Sequence, residues 1–380
     1  MSRAKNFRIY FVLPILLVSL VVVLLREHRP SFLRPGLHLH AYISSASASD
    51  GTVTVVDLIS LRAIAKVFVG NAIADIREHP KRAEIWGVSS TGGYLWVMDP
   101  HTDQVAHKIS VGPLPYSLDF SAKGDRVFTT ASAVNQLIAI DCATHSIIGR
   151  AKTGEQPVEG RLTADNRLVL VVNRRAGTLG IHDAANLQQV AEVPVVPNPD
   201  DVVSLPDATI AFVMSRTEKR LSVVDIQRGV LLTNLELAGN PTQMILKPDG
   251  GELYVISPEA HGLQVVNTWT HELGDYILLG SAPYSGILTP DALTMYVADR
   301  EAGRVLPLDI VNRRVARPIN VGASPVAMRF DPSEDGAPPT MLLVVNESSG
   351  DLSVIRARTD SLITMIPAGN RPHRLAVKLF

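Results

Sequence analysis

The sequence has one cysteine, Cys142, so no intrachain disulfide, no cysteine-rich metal site and no CxxCH haem attachment can form. Aromatic side chains make up only 5% of the chain, whereas Gly and Pro number 26 and 25, which suits short strands and tight turns better than long helices. Charge of either sign is scarcely in excess: the net balance is -1, and no basic stripe marks a nucleic-acid partner. P-loop, GxGxxG, GxSxG, HExxH and EF-hand patterns are all missing, so no local motif announces nucleotide chemistry, hydrolysis or metal catalysis.

What is present begins with an uncharged run at residues 9–25, preceded by Arg3, Lys5 and Arg8. As a helix it would span about 26 Å, enough for a hydrocarbon core. The sequence after it, Arg26-Glu27-His28-Arg29-Pro30, offers no small-residue cleavage site. Residues 1–36 are therefore expected to be a cytoplasmic tip, a transmembrane signal anchor and a linker, with secretion after signal cleavage as the alternative. The rest of the chain is then expected on the periplasmic or extracellular side. Charge divides at the same place, with +5 on residues 1–36 and -6 on the remainder.

Residues 37–380 are periodic. Pro115, Pro157, Pro199, Pro241, Pro283 and Pro325 stand 42 residues apart, Pro372 follows after 47, and Ile73 occupies the rung 42 before Pro115. Each unit holds one apolar strand such as ELYVIS (252–257), a second such as RLSVVD (220–225), and a third such as RAIAKVFVG (62–70). The rung then opens a fourth, such as PVAMRF (325–330). Four strands in 42 residues match one propeller blade.

Two further columns keep phase with the rungs. Gly51, Gly93, Asn135, Gly177, Lys219, His261, Gly303 and Gly350 occupy the turn after the first strand, where positive φ is expected. Asp57, Asp99, Asp141, Asp183, Asp225, Asn267, Asp309 and Arg356 end the second strand. A carboxylate repeated in nearly every unit reads as a device that accepts turn amides, in preference to a metal ligand.

These columns resemble the YVTN-type β-propeller repeat. The resemblance is carried by Val344-Val345-Asn346-Glu347-Ser348-Ser349-Gly350, by Ser222-Val223-Val224-Asp225, by Val321-Gly322-Ala323-Ser324-Pro325 and by Lys247-Pro248-Asp249-Gly250. It covers residues 38–380 and implies an all-β, eight-bladed propeller of four-stranded antiparallel blades. The strand after each rung would be the innermost of its blade, so the C-terminal strand would complete blade 1 and close the ring. Seven blades, the commoner number for this repeat, is the alternative. The same resemblance implies either a binding scaffold or, among relatives, lactonases and haem d1 domains.

Inner strands line the axis, so the second and fourth residues past each rung are the expected binding surface. They comprise Asp75, Arg77, Asp119, Glu159, Arg161, Asp201, Arg329 and Arg374, with plainer residues such as Gln243, Ser285, Ile245 and Ile287 elsewhere. Read functionally, the arginines would take an anionic or sugar-like ligand; read plainly, opposite charges pair across a wet channel. His373 is the further channel candidate. With His38 and His40 it would give three imidazoles near one blade, able to hold a divalent metal or an axial haem ligand. The alternative is three unrelated strand-end histidines. Cys142 and His145 share one turn but lack an orienting third group.

The expectation is thus a non-catalytic, membrane-tethered propeller without a resident cofactor, presenting a face to a protein, polysaccharide or small ligand. A lactonase-like hydrolase or a haem d1 binder is the alternative.

Overall fold

The computed structural model describes residues 37–47, 49–332 and 337–380. The expected membrane-spanning run at 9–25 lies outside them, and so do residues 333–336, within the five-residue insertion that lengthens the step from Pro325 to Pro372. Among the described residues no helix is long and apolar enough to cross a membrane.

Eight antiparallel sheets follow one another in chain order, each a blade with its inner strand directly after a rung. Blade 2 shows the plan: Ile73–Glu78 pairs with Ile85–Ser89, which pairs with Tyr94–Asp99, which pairs with Gln104–Ser110. Blade 1 is assembled from both ends of the repeat region. Leu39–Ser45 pairs with Thr52–Asp57 on one side and with the C-terminal Pro372–Leu379 on the other. The ring therefore has eight blades and closes as expected; seven is ruled out.

Alternation puts apolar side chains on both faces of each blade, and neighbouring blades bury them against one another. Trp86, Leu95 and Val97 of blade 2 pack on Leu118, Val127 and Ile138 of blade 3, and Trp96 packs on Tyr42 and Val55 of blade 1. The hydrophobic core is thus distributed between blades, which frees the axis for polar groups. Most of the first-turn column is left-handed, from Gly51 (φ 54°) to Gly350 (φ 74°), and even His261 adopts φ 58°. Lys219 does not.

Prolines explain two departures from the plan. Blade 3, which enters through Pro113 and Pro115, has only Asp119–Phe120 as regular inner strand plus a bridge between Pro115 and Ala131. The outer strand of blade 7 is split into Arg314–Val315 and Ile319–Asn320 around Pro318, which has no amide to donate.

Strand-end acids do what their repetition implies. Asp57 accepts the Ile59 amide, Asp141 those of Ala143 and Thr144, Asp183 those of Ala185 and Asn186, and Asn267 those of Trp269 and Thr270.

Candidate functional site

Each inner strand runs from its rung along the channel wall to the other end, so the channel has a rung mouth and a far mouth. In the middle lie the second and fourth residues past each rung. Arg77 reaches Asp75 through Nε and Asp119 through Nη1, both at 3.1 Å. Arg161 likewise bridges Glu159 and Asp201, each at 3.2 Å. The same acids staple blades together: Asp75 accepts the Leu118 amide of blade 3, and Asp119 accepts the Leu162 amide of blade 4. Ser117 does this for Gly160, and Gln243 for Gly286. Hence Asp75, Arg77, Asp119, Glu159, Arg161 and Asp201 form an ion-paired belt over half the circumference, two arginines each shared by two acids, which supports the plain reading for these six.

Burial decides the protonation of this belt. Burial alone would raise the Asp75 pKa, but Arg77, Arg374 and the Leu118 amide together hold it below the usual carboxylate range. Glu159 goes the other way. Burial, together with the nearby Asp201, outweighs Arg161 and lifts its pKa to about 7.

Three of the expected residues stand apart from the belt. Arg374 comes only within 4.0 Å of Asp75 and is 43% exposed. Arg329 is exposed to the channel and makes no side-chain hydrogen bond or ion pair among the described residues. His373 lies at the rung mouth with Nδ1 buried and unpartnered. Burial, reinforced by Arg374, lowers its pKa to about 4, so the ring is neutral at physiological pH.

The three-imidazole grouping does not form. His40 is paired with Lys378 and Ser45 with Pro372, so antiparallel register sets His373 and His40 at opposite ends of the same strand pair. His40 instead lies beside Tyr42, Asp103 and Phe380. The Cys142 thiol is buried, and burial with the nearby Glu84 pushes its pKa up to about 12, which removes it as a nucleophile at neutral pH.

The rung mouth also holds residues that the sequence reading passed over. Seventeen places after Pro157, Pro199 and Pro283 stand Arg174, Arg216 and Arg300, and Glu347 is their counterpart past Pro325 once the five extra residues of the last step are counted. Arg174 is bound to Asp200 and lies over the Tyr116 ring, 5.7 Å from its centroid. Arg300 lies over Tyr284 at 4.9 Å and shares Glu347 with Arg371. Arg216 is exposed and has no side-chain hydrogen bond or ion pair among the described residues. Its charge nevertheless reaches His373 from blade 5, directly across the ring from blade 1. Around the neutral imidazole the charges of Arg374, Arg300 and Arg216 outnumber the single carboxylate that acts on it, Glu347, so this part of the mouth carries surplus positive charge. The signal was available in the sequence: three arginines share one column, a departure from an otherwise varied position.

Comparison with known proteins agrees with this architecture. A family model described as YNCE-like beta-propeller matches residues 94–294. No curated protein matches the chain. Among solved structures, dihydro-heme d1 dehydrogenase NirN in complex with DHE is similar at 16% identity, with a TM-score of 0.75 over 92% of this chain and 77% of that one. Apo AztD from Citrobacter koseri is similar at 11% identity and a TM-score of 0.66, covering 90% and 98% of the two chains. Kuenenia stuttgartiensis hydrazine synthase is similar at 16% identity and a TM-score of 0.59, covering 77% and 99%. At these identities the likeness concerns the fold.

Proposed function

The chain belongs to the YNCE-like β-propeller family, and from that premise we propose that it is a non-catalytic binding module whose rung mouth takes an anionic ligand. The ligand class is a small polycarboxylate or phosphate, or the acidic end of a sugar chain. The observation that carries this reading is the convergence of Arg216, Arg300 and Arg374 around His373 from three separate blades, with too few acids to neutralise them. Guanidinium groups match carboxylate and phosphate geometry, and the Tyr116 and Tyr284 rings add faces on which a sugar can rest. The uncharged run at 9–25 supports a tether holding the propeller on the extracytoplasmic side.

Calorimetric titration of the purified protein with citrate and with polygalacturonate tests the reading. At low salt at least one is expected to bind, with Arg216→Gln and Arg374→Gln each weakening it about tenfold, the loss expected for one charge-assisted contact. Binding by neither probe, or binding indifferent to both substitutions, overturns it.

A second reading is favoured by the unpartnered His373. NirN, similar in fold, is named as a dihydro-heme d1 dehydrogenase and was solved with DHE. In this chain His373 has the free nitrogen needed of an axial ligand, and the surrounding arginines would hold a macrocycle's carboxylates. A Soret shift on mixing with haem d1, lost in His373→Ala, distinguishes this reading from the first.

A further inference from the structure

The far mouth carries a different arrangement. A pocket of about 230 Å³ opens there, walled by Arg329 of blade 8, Arg77, Glu78 and Pro80 of blade 2, and Asp119 and Phe120 of blade 3. It is smaller than the usual range for drug-sized ligands, so any occupant is a small molecule.

The charges in its wall are not equivalent. Arg77 and Asp119 are bound to each other and belong to the belt. Lys378, the cation on the intervening blade, gives its ammonium to the His79 carbonyl at 2.6 Å. Arg329 and Glu78 have no such partners: among the described residues neither side chain makes a hydrogen bond or an ion pair. Arg329 and Glu78 feel each other's charge, and Glu78 also acts on Lys378, yet neither cation meets Glu78 within 4.0 Å. The pocket thus offers an entering molecule one cation and one carboxylate that hydrogen-bond to nothing else among the described residues.

Simple ions fit this wall poorly. An anion on Arg329 would face Glu78 and Asp119, and a cation on Glu78 would face Arg329 and Arg77. A molecule carrying both signs a few ångströms apart meets complementary groups on both sides. We propose that the far-mouth pocket binds a small zwitterion of the amino-acid class. Its carboxylate pairs with Arg329, its ammonium pairs with Glu78, and its apolar group rests on Phe120 and Pro80. This site is at the opposite end of the channel from the rung mouth and does not depend on the function proposed there.

The test uses the full chain and three probes: L-valine, isovalerate, which lacks the amine, and isobutylamine, which lacks the carboxylate. A screen of the remaining proteinogenic amino acids by ligand-observed NMR accompanies them. At least one amino acid is expected to bind. Where L-valine does so, the two analogues are expected to bind at least about tenfold more weakly, because each forfeits one ion pair. Arg329→Gln and Glu78→Gln are each expected to lower amino-acid affinity to a similar degree, whereas Lys152→Gln on the exposed outer strand of blade 3 leaves it unchanged. Thermal melts establish that these variants remain folded. Isovalerate binding as tightly as valine, indifference to Glu78→Gln, or no binding of any amino acid at millimolar concentration overturns the proposal.

Discussion

A chain ending at residue 371 is expected to have no stable propeller. The strand it loses, Pro372–Leu379, is the inner strand of blade 1, and Leu375, Ala376 and Val377 on it are buried. Returning Leu375 and Val377 to water costs about 1.5–3 kcal/mol each. Leu39–Ser45 would become an open edge facing the channel, with its ladder to the C-terminal strand unpaired. These losses are comparable with the roughly 5–15 kcal/mol that holds a typical domain together. Far-UV circular dichroism and gel filtration of the truncated chain are expected to show aggregated or non-cooperatively melting protein. Leu375→Ala alone, costing about 2–5 kcal/mol, should lower Tm without abolishing the fold. A truncated chain that melts cooperatively near the full-length Tm would show that closure by this strand is dispensable.

Replacing Arg161 by Met is expected to be the most damaging single change in the channel. Among the described residues its guanidinium is the one group that reaches both Glu159 and Asp201. Without it two half-buried carboxylates face each other uncompensated, a loss of at most about 3–5 kcal/mol, the cost of breaking a fully buried pair. Adding Glu159→Gln and Asp201→Asn should recover most of that, since the isosteric amides carry no charge.

The pH dependence has a definite sign. The folded pKa of Glu159, about 7, lies above its ordinary value of 4.5. Between those values the folded protein binds more protons than the unfolded chain, so this group's contribution to stability falls as pH rises through the window. Arg161→Met should steepen that fall and extend it above neutrality; Glu159→Gln should flatten it. Urea denaturation at about pH 5 and about pH 8 reads both effects. An Arg161→Met protein equally stable at both would show that Glu159 does not titrate in this window.

These expectations draw on the two kinds of information in the chain. The 42-residue period, the turn column from Gly51 to Gly350 and the strand-end aspartates were legible because each is a local device: a turn that needs positive φ, or a carboxylate that accepts amides two or three residues on. From these follow four-stranded blades, their number and the origin of the closing strand. Another left-handed column escaped notice. Leu61, Asp103, His145, Leu187, Gly229, His271, Arg313 and Asp360 all have positive φ in the turn after the second strand, but only one is glycine, so no residue type marks it.

Alternation along a strand also placed Asp75, Arg77, Glu159 and Arg161 on the channel, because a period of two is written in the sequence itself. Which of them are spoken for was not. Arg77 finds Asp119 and Arg161 finds Asp201 across blade boundaries, on distances set by how neighbouring inner strands converge. His373 and His40 were separated by antiparallel register, and Arg216 was brought opposite His373 by ring closure. The sequence by itself thus determined the blades and their closure, since turn chemistry and alternation act within a few residues. Only the tertiary structure decided which charges are paired and which remain open at the two mouths, because those pairings join different blades, brought together by blade packing and, at blade 1, by closure of the ring.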